Sequence, residues 1–259
     1  MLAELFLYLF TPASFKARRN GYVKASVDLW SLARHARQEW IEHEKQCHNI
    51  IHQGISQCSK KRTVVVLGSG LLRDVPINVL SRAFDQVMLV DVVHPLPARW
   101  KTRRLKNVFH ITLDLNGNRI TDLNAPSPLN FLHDSDDINL VISANILSQI
   151  ALEPRQHLPR NMSDQDADLF TLNLIKGHYQ DLLAFKCPVT LLTDTHMITR
   201  RNNEEIIETY DLLYGLALPV PDHKWTWHLA PRGSDDKLTN REHTVQGFIN
   251  IRRHIASSR

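Results

Sequence analysis

Residues 63–67, TVVVL, are an unbroken run of β-branched and aliphatic side chains, and a second such run, VMLV, follows at 87–90. Continuous apolar runs this short suit strands buried on both faces of a parallel sheet. Between them lie Gly68-Ser69-Gly70 and then residues 75–84, whose apolar positions recur at helical spacing. The pattern predicts a strand, a glycine turn, a helix starting just past the turn, and a second strand ending at Asp91. Further along it predicts a short basic helix after the rigid turn His94-Pro95-Leu96-Pro97, a strand over 108–113 and a mostly looped stretch over 115–137. A strand over 138–142 comes next, then a helix over 164–185 with Leu169, Leu172, Ile175, Tyr179, Leu182 and Leu183 on one face. A fifth strand over 189–193 and a helix over 204–213 complete the alternation.

Both ends of the chain break this rhythm. Residues 225–229 and 245–251 read as strands, yet only the polar, Gly-containing stretch 230–244 joins them. A parallel pair needs a crossover, usually helical, so this pair is expected to be antiparallel. At the other end, 23–55 is polar with a helical period, carrying Val27, Trp30, Ala33, Trp40, Cys47, Ile50 and Ile51 along one stripe. That is one long amphipathic helix, or two with a kink. The expected organisation is a helical lid or dimerisation segment over 1–60 and an α/β domain over 61–259.

Composition narrows the class. With 259 residues, 43% of them hydrophobic and 22% charged, the chain can bury a real core and has no disordered or repeat character. Cys47, Cys58 and Cys187 are odd in number and widely spaced, which gives no disulfide framework and fits a reducing cytoplasm. Residues 1–10 are mostly apolar, but no basic segment precedes them, Glu4 interrupts them, and spanning a bilayer takes about 20 residues. They are expected to pack as a short helix on the domain; the other reading is a peripheral membrane contact through 1–19, with Lys16, Arg18 and Arg19 at the headgroups. A formal charge of +4 does not by itself imply nucleic acid. The clearest basic cluster, Arg99, Lys101, Arg103, Arg104 and Lys106, lacks the interleaved aromatics of a base-stacking surface and reads as a solvated helix face.

The glycine turn decides which nucleotide-type ligand is plausible. A dinucleotide fingerprint places a third glycine three residues after the second, and here that position is Arg73. Two glycines followed about 20 residues later by an acid at the end of the next strand resemble the first two motifs of the Rossmann-like S-adenosylmethionine-dependent methyltransferases. The antiparallel ending over 225–251 is similar to the close of that family's seven-stranded sheet. In the family an acid usually precedes the glycines and a small residue often follows; Val66-Leu67 and Leu71-Leu72 stand there instead. The resemblance covers residues 63–251, more in pattern than in identity. It implies a doubly wound α/β fold with a C-terminal antiparallel hairpin, S-adenosylmethionine as cofactor and a small-molecule acceptor.

Carried onto this chain, the resemblance implies that Gly68 and Gly70 pass under the cofactor, that Asp91 accepts from its ribose hydroxyls, and that Asp114 lies near the adenine amine. Asp114 is equally a turn residue in Asp114-Leu115-Asn116-Gly117. Asn145 follows the fourth strand, where methyltransferases acting on nitrogen orient the target amine. It is followed by Ile146-Leu147-Ser148 rather than by Pro-Pro and an aromatic, and it can also cap a helix. Asp194 and His196 after the fifth strand, and His178 on the preceding helix, are candidate bases. Trp225 and Trp227 share one strand face, with Arg232 beyond. His43 with Cys47 and His48 with His52 are spaced for helical chelation, but the two pairs point apart, and no metal is expected. Two other functions stay open: an NAD(P)-dependent oxidoreductase using the same turn and acid, and a non-catalytic methyltransferase-like scaffold binding a partner, or a second copy, through its N-terminal helices.

Overall fold

A computed structural model describes residues 2–201, 205–231 and 238–256. Its centre is a sheet of order β3-β2-β1-β4-β5-β8-β7. The first five strands, β1 (Thr63–Leu67), β2 (Gln86–Asp91), β3 (Val108–Thr112), β4 (Ile138–Ala144) and β5 (Val189–Arg201), pair in parallel. β7 (His223–Ala230) and β8 (Thr239–Phe248) form the expected antiparallel hairpin, and β8 runs antiparallel to β5. The order and strand sense are those of the expected doubly wound sheet with a C-terminal antiparallel hairpin, and β6 makes it eight-stranded where seven strands were expected. Strand order reverses between β1 and β4, the place where doubly wound sheets open a crevice.

One element differs in kind. The stretch predicted as a helix over 204–213 is a strand, β6 (Glu205–Asp211), with residue 204 outside the described residues. β5 runs on for 13 residues, well past Thr193, and β6 folds back on it. Because β8 holds one edge of β5 from Leu191 to Arg201, β6 shares the other edge with β4. In EIIETYD most side chains remain exposed, so pairing to a long neighbour, and not a buried helical face, sets the conformation. Arg232 lies outside the described residues.

The N-terminal stripe forms two helices, α3 (Tyr22–His35) and α4 (Arg37–Ser56), breaking at Ala36. α1 (Leu2–Phe10) and α2 (Phe15–Arg19) precede them. Arg18 clamps their elbow by donating to the carbonyls of Tyr8 at 2.7 Å and Thr11 at 2.6 Å. α1 buries Leu7 and leaves Leu2, Leu5, Leu9 and Phe10 exposed. α4 lies directly on the sheet: Cys47, Ile50, Ile51 and Ile55 share a core with Val64, Val66, Leu140 and Ile142. A Cβ on Gly247 would stand 2.9 Å from Ile50, which is how closely β8 meets that helix. The core therefore runs across residue 60 without a break.

The remaining helices cover the sheet: α5 (Ile77–Ala83), α6 (Leu96–Thr102), α7 (Asn130–His133), α8 (Leu152–Gln156), α9 (Asp164–Ala184) and α10 (Ile251–Ala256). On α9 the buried face is Thr171, Leu174, Ile175, His178, Asp181 and Leu182, and Leu169 is exposed. The face read from aliphatic residues alone is thus rotated, because a buried His and Asp replace two of its positions. No described helix is long and apolar enough to cross a membrane.

Candidate functional site

β1 ends in two left-handed glycines, Gly68 at φ +73° and Gly70 at φ +44°. A Cβ on Gly68 would lie 2.7 Å from Ile146 Cβ and 3.0 Å from the Ala144 carbonyl, so the turns after β1 and β4 meet there. A Cβ on Gly70 would meet only the Gly68 carbonyl, at 4.0 Å. Gly68→Ala is therefore expected to cost about 1–3 kcal/mol from the backbone alone, plus the clash with Ile146, and Gly70→Ala the smaller of the two losses. Thermal melts of the two variants side by side check the order.

The helix expected just past the turn starts later. Pro76 precedes α5, and residues 71–76 form an opened loop with Leu72 at φ +57°. Side chains from both flanks pin it. Arg73, in the third-glycine position, pairs with Glu44 and sits 5.5 Å over the Trp40 ring; His48 Nε2 meets the Arg73 carbonyl at 2.8 Å. Lys101, from the basic cluster, donates to the Leu72 carbonyl at 2.5 Å. The loop thus carries Asp74 inward, where Asn145 Nδ2 donates to its Oδ2 at 2.9 Å. Asn145 itself has φ +55° and is committed to Asp74, so it caps no helix.

Asp91 ends β2 beside this turn and accepts from the Gly70 amide at 2.8 Å. Burial pushes its carboxyl up to about 6, against the pull of the Gly70, Val93 and Val92 amides. Asp114 closes an Asx turn onto the Asn116 amide at 3.0 Å, and burial raises it too. Burial, with Asp114 and Glu153 nearby, raises the Tyr22 phenol well above its ordinary value.

These residues border one cavity of about 490 Å³ at the switch point. Gly68, Gly70, Asp91, Asp114, Asn145 and Asp194 all line it, and Tyr22, Ser26, Leu29 and Leu32 of α3 form part of its wall. Two candidates do not reach it. His178 is buried behind β4, 3.3 Å from Ser143 Oγ, and burial lowers its pKa to about 4. His196 is exposed on the other face of the sheet. Asp194 and His196 would share a face in a regular strand, but β5 bulges between them, and the extra residue turns His196 away.

The same register brings in residues that sequence spacing could not connect. Asp194 and Trp225 both lie opposite Val245, and Met197 and Trp227 both lie opposite His243, so all of these side chains share one face. His43 of α4 stacks on Trp227, with ring centroids 3.9 Å apart, and Trp40 meets the same ring edge-on at 4.8 Å. His243 Nδ1 lies 2.8 Å from Asp194 Oδ2. Asp74, Trp227 and His243 all line the cavity; Trp227 was singled out in the sequence with Trp225, whereas Asp74 and His243 went unrecognised. An Asp one residue past Arg73 was the only local hint.

His43, Cys47 and Asp74 bring their ligand atoms within 4.8 Å of one another, whereas His48 turns to the Arg73 carbonyl. Hydrogen bonding accounts for the trio. Trp225 Nε1 donates to His43 Nδ1 at 3.2 Å, leaving the proton on Nε2, which faces Asp74 Oδ1 at 3.2 Å and Cys47 Sγ at 3.5 Å. Burial alone would raise the Asp74 carboxyl, but the closeness of His43 and the bonds from His43 and Asn145 hold it below its ordinary range. Burial, with Asp74, Asp194 and Glu44 nearby, pushes the Cys47 thiol well up.

No family model matches the chain, and no curated protein matches it. Among solved structures it is similar to the N-methyltransferase NodS of Bradyrhizobium japonicum with S-adenosyl-L-homocysteine, at 10% identity over 80% of this chain and 86% of that one, TM-score 0.39. It is also similar to 1,6-didemethyltoxoflavin-N1-methyltransferase of Burkholderia thailandensis, at 13% identity over 92% and 93%, TM-score 0.39. A third is a SAM-dependent methyltransferase of Leishmania major, at 13% identity over 94% and 82%, TM-score 0.36. Identities this low assign no residue and no acceptor.

Proposed function

We propose that the switch-point cavity binds S-adenosylmethionine and that the protein transfers its methyl group to a small-molecule acceptor, with α3 and the start of α4 as the lid. The observation that carries this reading is the placement of Asp91: a half-buried carboxylate with a raised pKa, anchored by the Gly70 amide, on the wall of a cavity between β1 and β4. Hydroxyl donors would relieve its desolvation, and a ribose supplies two. About 490 Å³ is within the ordinary size of a small-molecule site, about 300–1,000 Å³. Asn145 Oδ1 and Ser148 Oγ, buried on the same wall without partners, suit a ligand bearing donors such as an ammonium group.

In this reading Gly68 and Gly70 pass beneath the cofactor, Asp91 takes the ribose, and Asp114 with Tyr22 borders the adenine end. The cofactor supplies an activated methyl group on a sulfonium. The chain's own part is placement: α3 closes the wall against water, and Asp74 fixes the Asn145 amide, whose oxygen is left for the ligand. A dinucleotide fits less well, since α5 begins only at Ile77 and brings no helix N-terminus up to the glycine turn for a pyrophosphate.

Calorimetric titration with S-adenosylmethionine, S-adenosylhomocysteine, NAD and NADP tests the proposal. Micromolar binding of the two adenosyl compounds alone is expected. Binding of NAD or NADP instead would move the protein to the oxidoreductases, and no binding of any would make it a scaffold.

A further inference from the structure

The cavity wall formed by β5, β8 and β7 carries chemistry that cofactor binding leaves unused. His243 and Asp194 are nearly buried, their side chains 10% and 3% exposed, and Nδ1 meets the carboxylate at 2.8 Å. A carboxylate on Nδ1 holds the neutral imidazole proton there and leaves a lone pair on Nε2. That Nε2 has no partner, and neither has Asp194 Oδ1. Each buried polar atom left unpaired costs about 1–3 kcal/mol, so this end of the cavity is built for an occupant that donates hydrogen bonds. The wall around it is apolar and aromatic: Leu29, Leu32, Met197, Leu212 and Leu229, with the Trp227 ring edge-on to His243 at 5.9 Å.

We propose that His243, backed by Asp194, is a general base for an aryl hydroxyl bound in this lobe, so that the methyl acceptor is a phenol. An uncharged amine attacks through its lone pair before any proton is lost. A hydroxyl does not, and an Asp-held imidazole is the arrangement that it requires. The phenolic O–H bond breaks and its proton goes to His243 Nε2, where Asp194 stabilises the imidazolium. The oxygen's electron pair forms the new bond to the methyl carbon, sulfur keeps the pair of the bond that breaks, and the proton passes to water as product leaves. The methyl-transfer half of this step rests on the cofactor reading above; the proton-transfer half stands on the dyad alone. The other charged or titratable groups that line the cavity are Tyr22, Arg73, Asp74, Asp91, Asp114, Glu153 and Arg241, with His43 across the Trp227 ring.

The test uses para-nitrophenol as probe, whose phenolate absorbs in the visible, added to the full-length protein with and without S-adenosylhomocysteine. Bound probe is expected to ionise about one pH unit below free probe. His243→Gln should abolish that shift, Asp194→Asn should diminish it, and His196→Gln, on the other face, should leave it intact. Imidazole added to His243→Gly should restore it, which a purely structural histidine would not allow. Absence of the shift in the wild-type protein, or its persistence in His243→Gln, overturns the proposal. Calorimetry on the same samples separates the two readings: ionised probe without S-adenosylhomocysteine binding removes the methyltransferase and leaves the base, and the reverse removes the base.

Discussion

Asp91→Asn is expected to weaken S-adenosylhomocysteine binding by about 10- to 100-fold while making the ligand-free protein more stable above pH 6. The loss follows from replacing an ionised acceptor, whose hydrogen bonds are worth about 1.5–3 kcal/mol, by a neutral one. The gain follows from linkage. The folded pKa of about 6 lies above the ordinary 3.8, so protonated Asp91 favours the fold below that lower value, and the advantage is lost as pH rises through 6. Above it the ionised carboxylate costs about 3 kcal/mol, which an amide avoids at every pH. An amide has one acceptor oxygen for the Gly70, Val92 and Val93 amides, so the net gain should be nearer about 1–2 kcal/mol, or roughly 3–8 °C in Tm. Melts near pH 8 and near pH 4 check this: the gain should be present in the first and gone in the second. A lower Tm than wild type near pH 8 would mean that the three amides outweigh the burial. By the same sign, wild-type affinity for the adenosyl compounds should fall as pH drops through about 6, because a protonated Asp91 is the poorer acceptor.

The second large effect lies away from the cavity. Asp181 on α9 holds the Arg119 guanidinium with two bonds, Nη1 to Oδ2 at 2.6 Å and Nη2 to Oδ1 at 2.9 Å, and the side chains are 11% and 4% exposed. A Cβ on Gly177 would stand 3.2 Å from Arg119 Nη1, so this glycine leaves room for the pair. Asp181→Ala strands a buried cation and should cost about 3–5 kcal/mol, with Tm falling by roughly 10 °C or more. Replacing both partners, Arg119→Met with Asp181→Leu, should recover most of that loss, since desolvating the ions offsets much of their attraction. Chemical denaturation of the three proteins measures it. Equal losses in the single and double variants would show that the pair does more than satisfy its own charges.

The parallel strands and the glycine turn were legible because each is a local statement. An all-apolar run of five residues has few alternatives to a strand buried on both faces, and two glycines at its end mark a turn that other side chains would strain. Asp91 was legible for the same reason, at a fixed distance behind that turn. The hairpin of β7 and β8 followed from what was missing, an apolar period between the two strands. β6 was misread because EIIETYD is mostly exposed in either form, and the open edge of β5 decides between them.

The amino-acid sequence by itself therefore determined the doubly wound frame and the cavity wall made by the turns after β1 and β2, where neighbours in space are also near in the chain. Tertiary structure alone decided the opposite wall. One bulge in β5 turned His196 out, and the register of β5, β8 and β7 set Asp194 beside His243, 49 residues away, with Trp227 under His43 of α4. Strand register has a period of two, so a single extra residue exchanges the faces, and no local propensity records it. Of the 14 histidines, His178 and His196 stood out by their place along the chain, and nothing local marked His243. Pairing with a buried carboxylate, which only the folded sheet supplies, singles out His243.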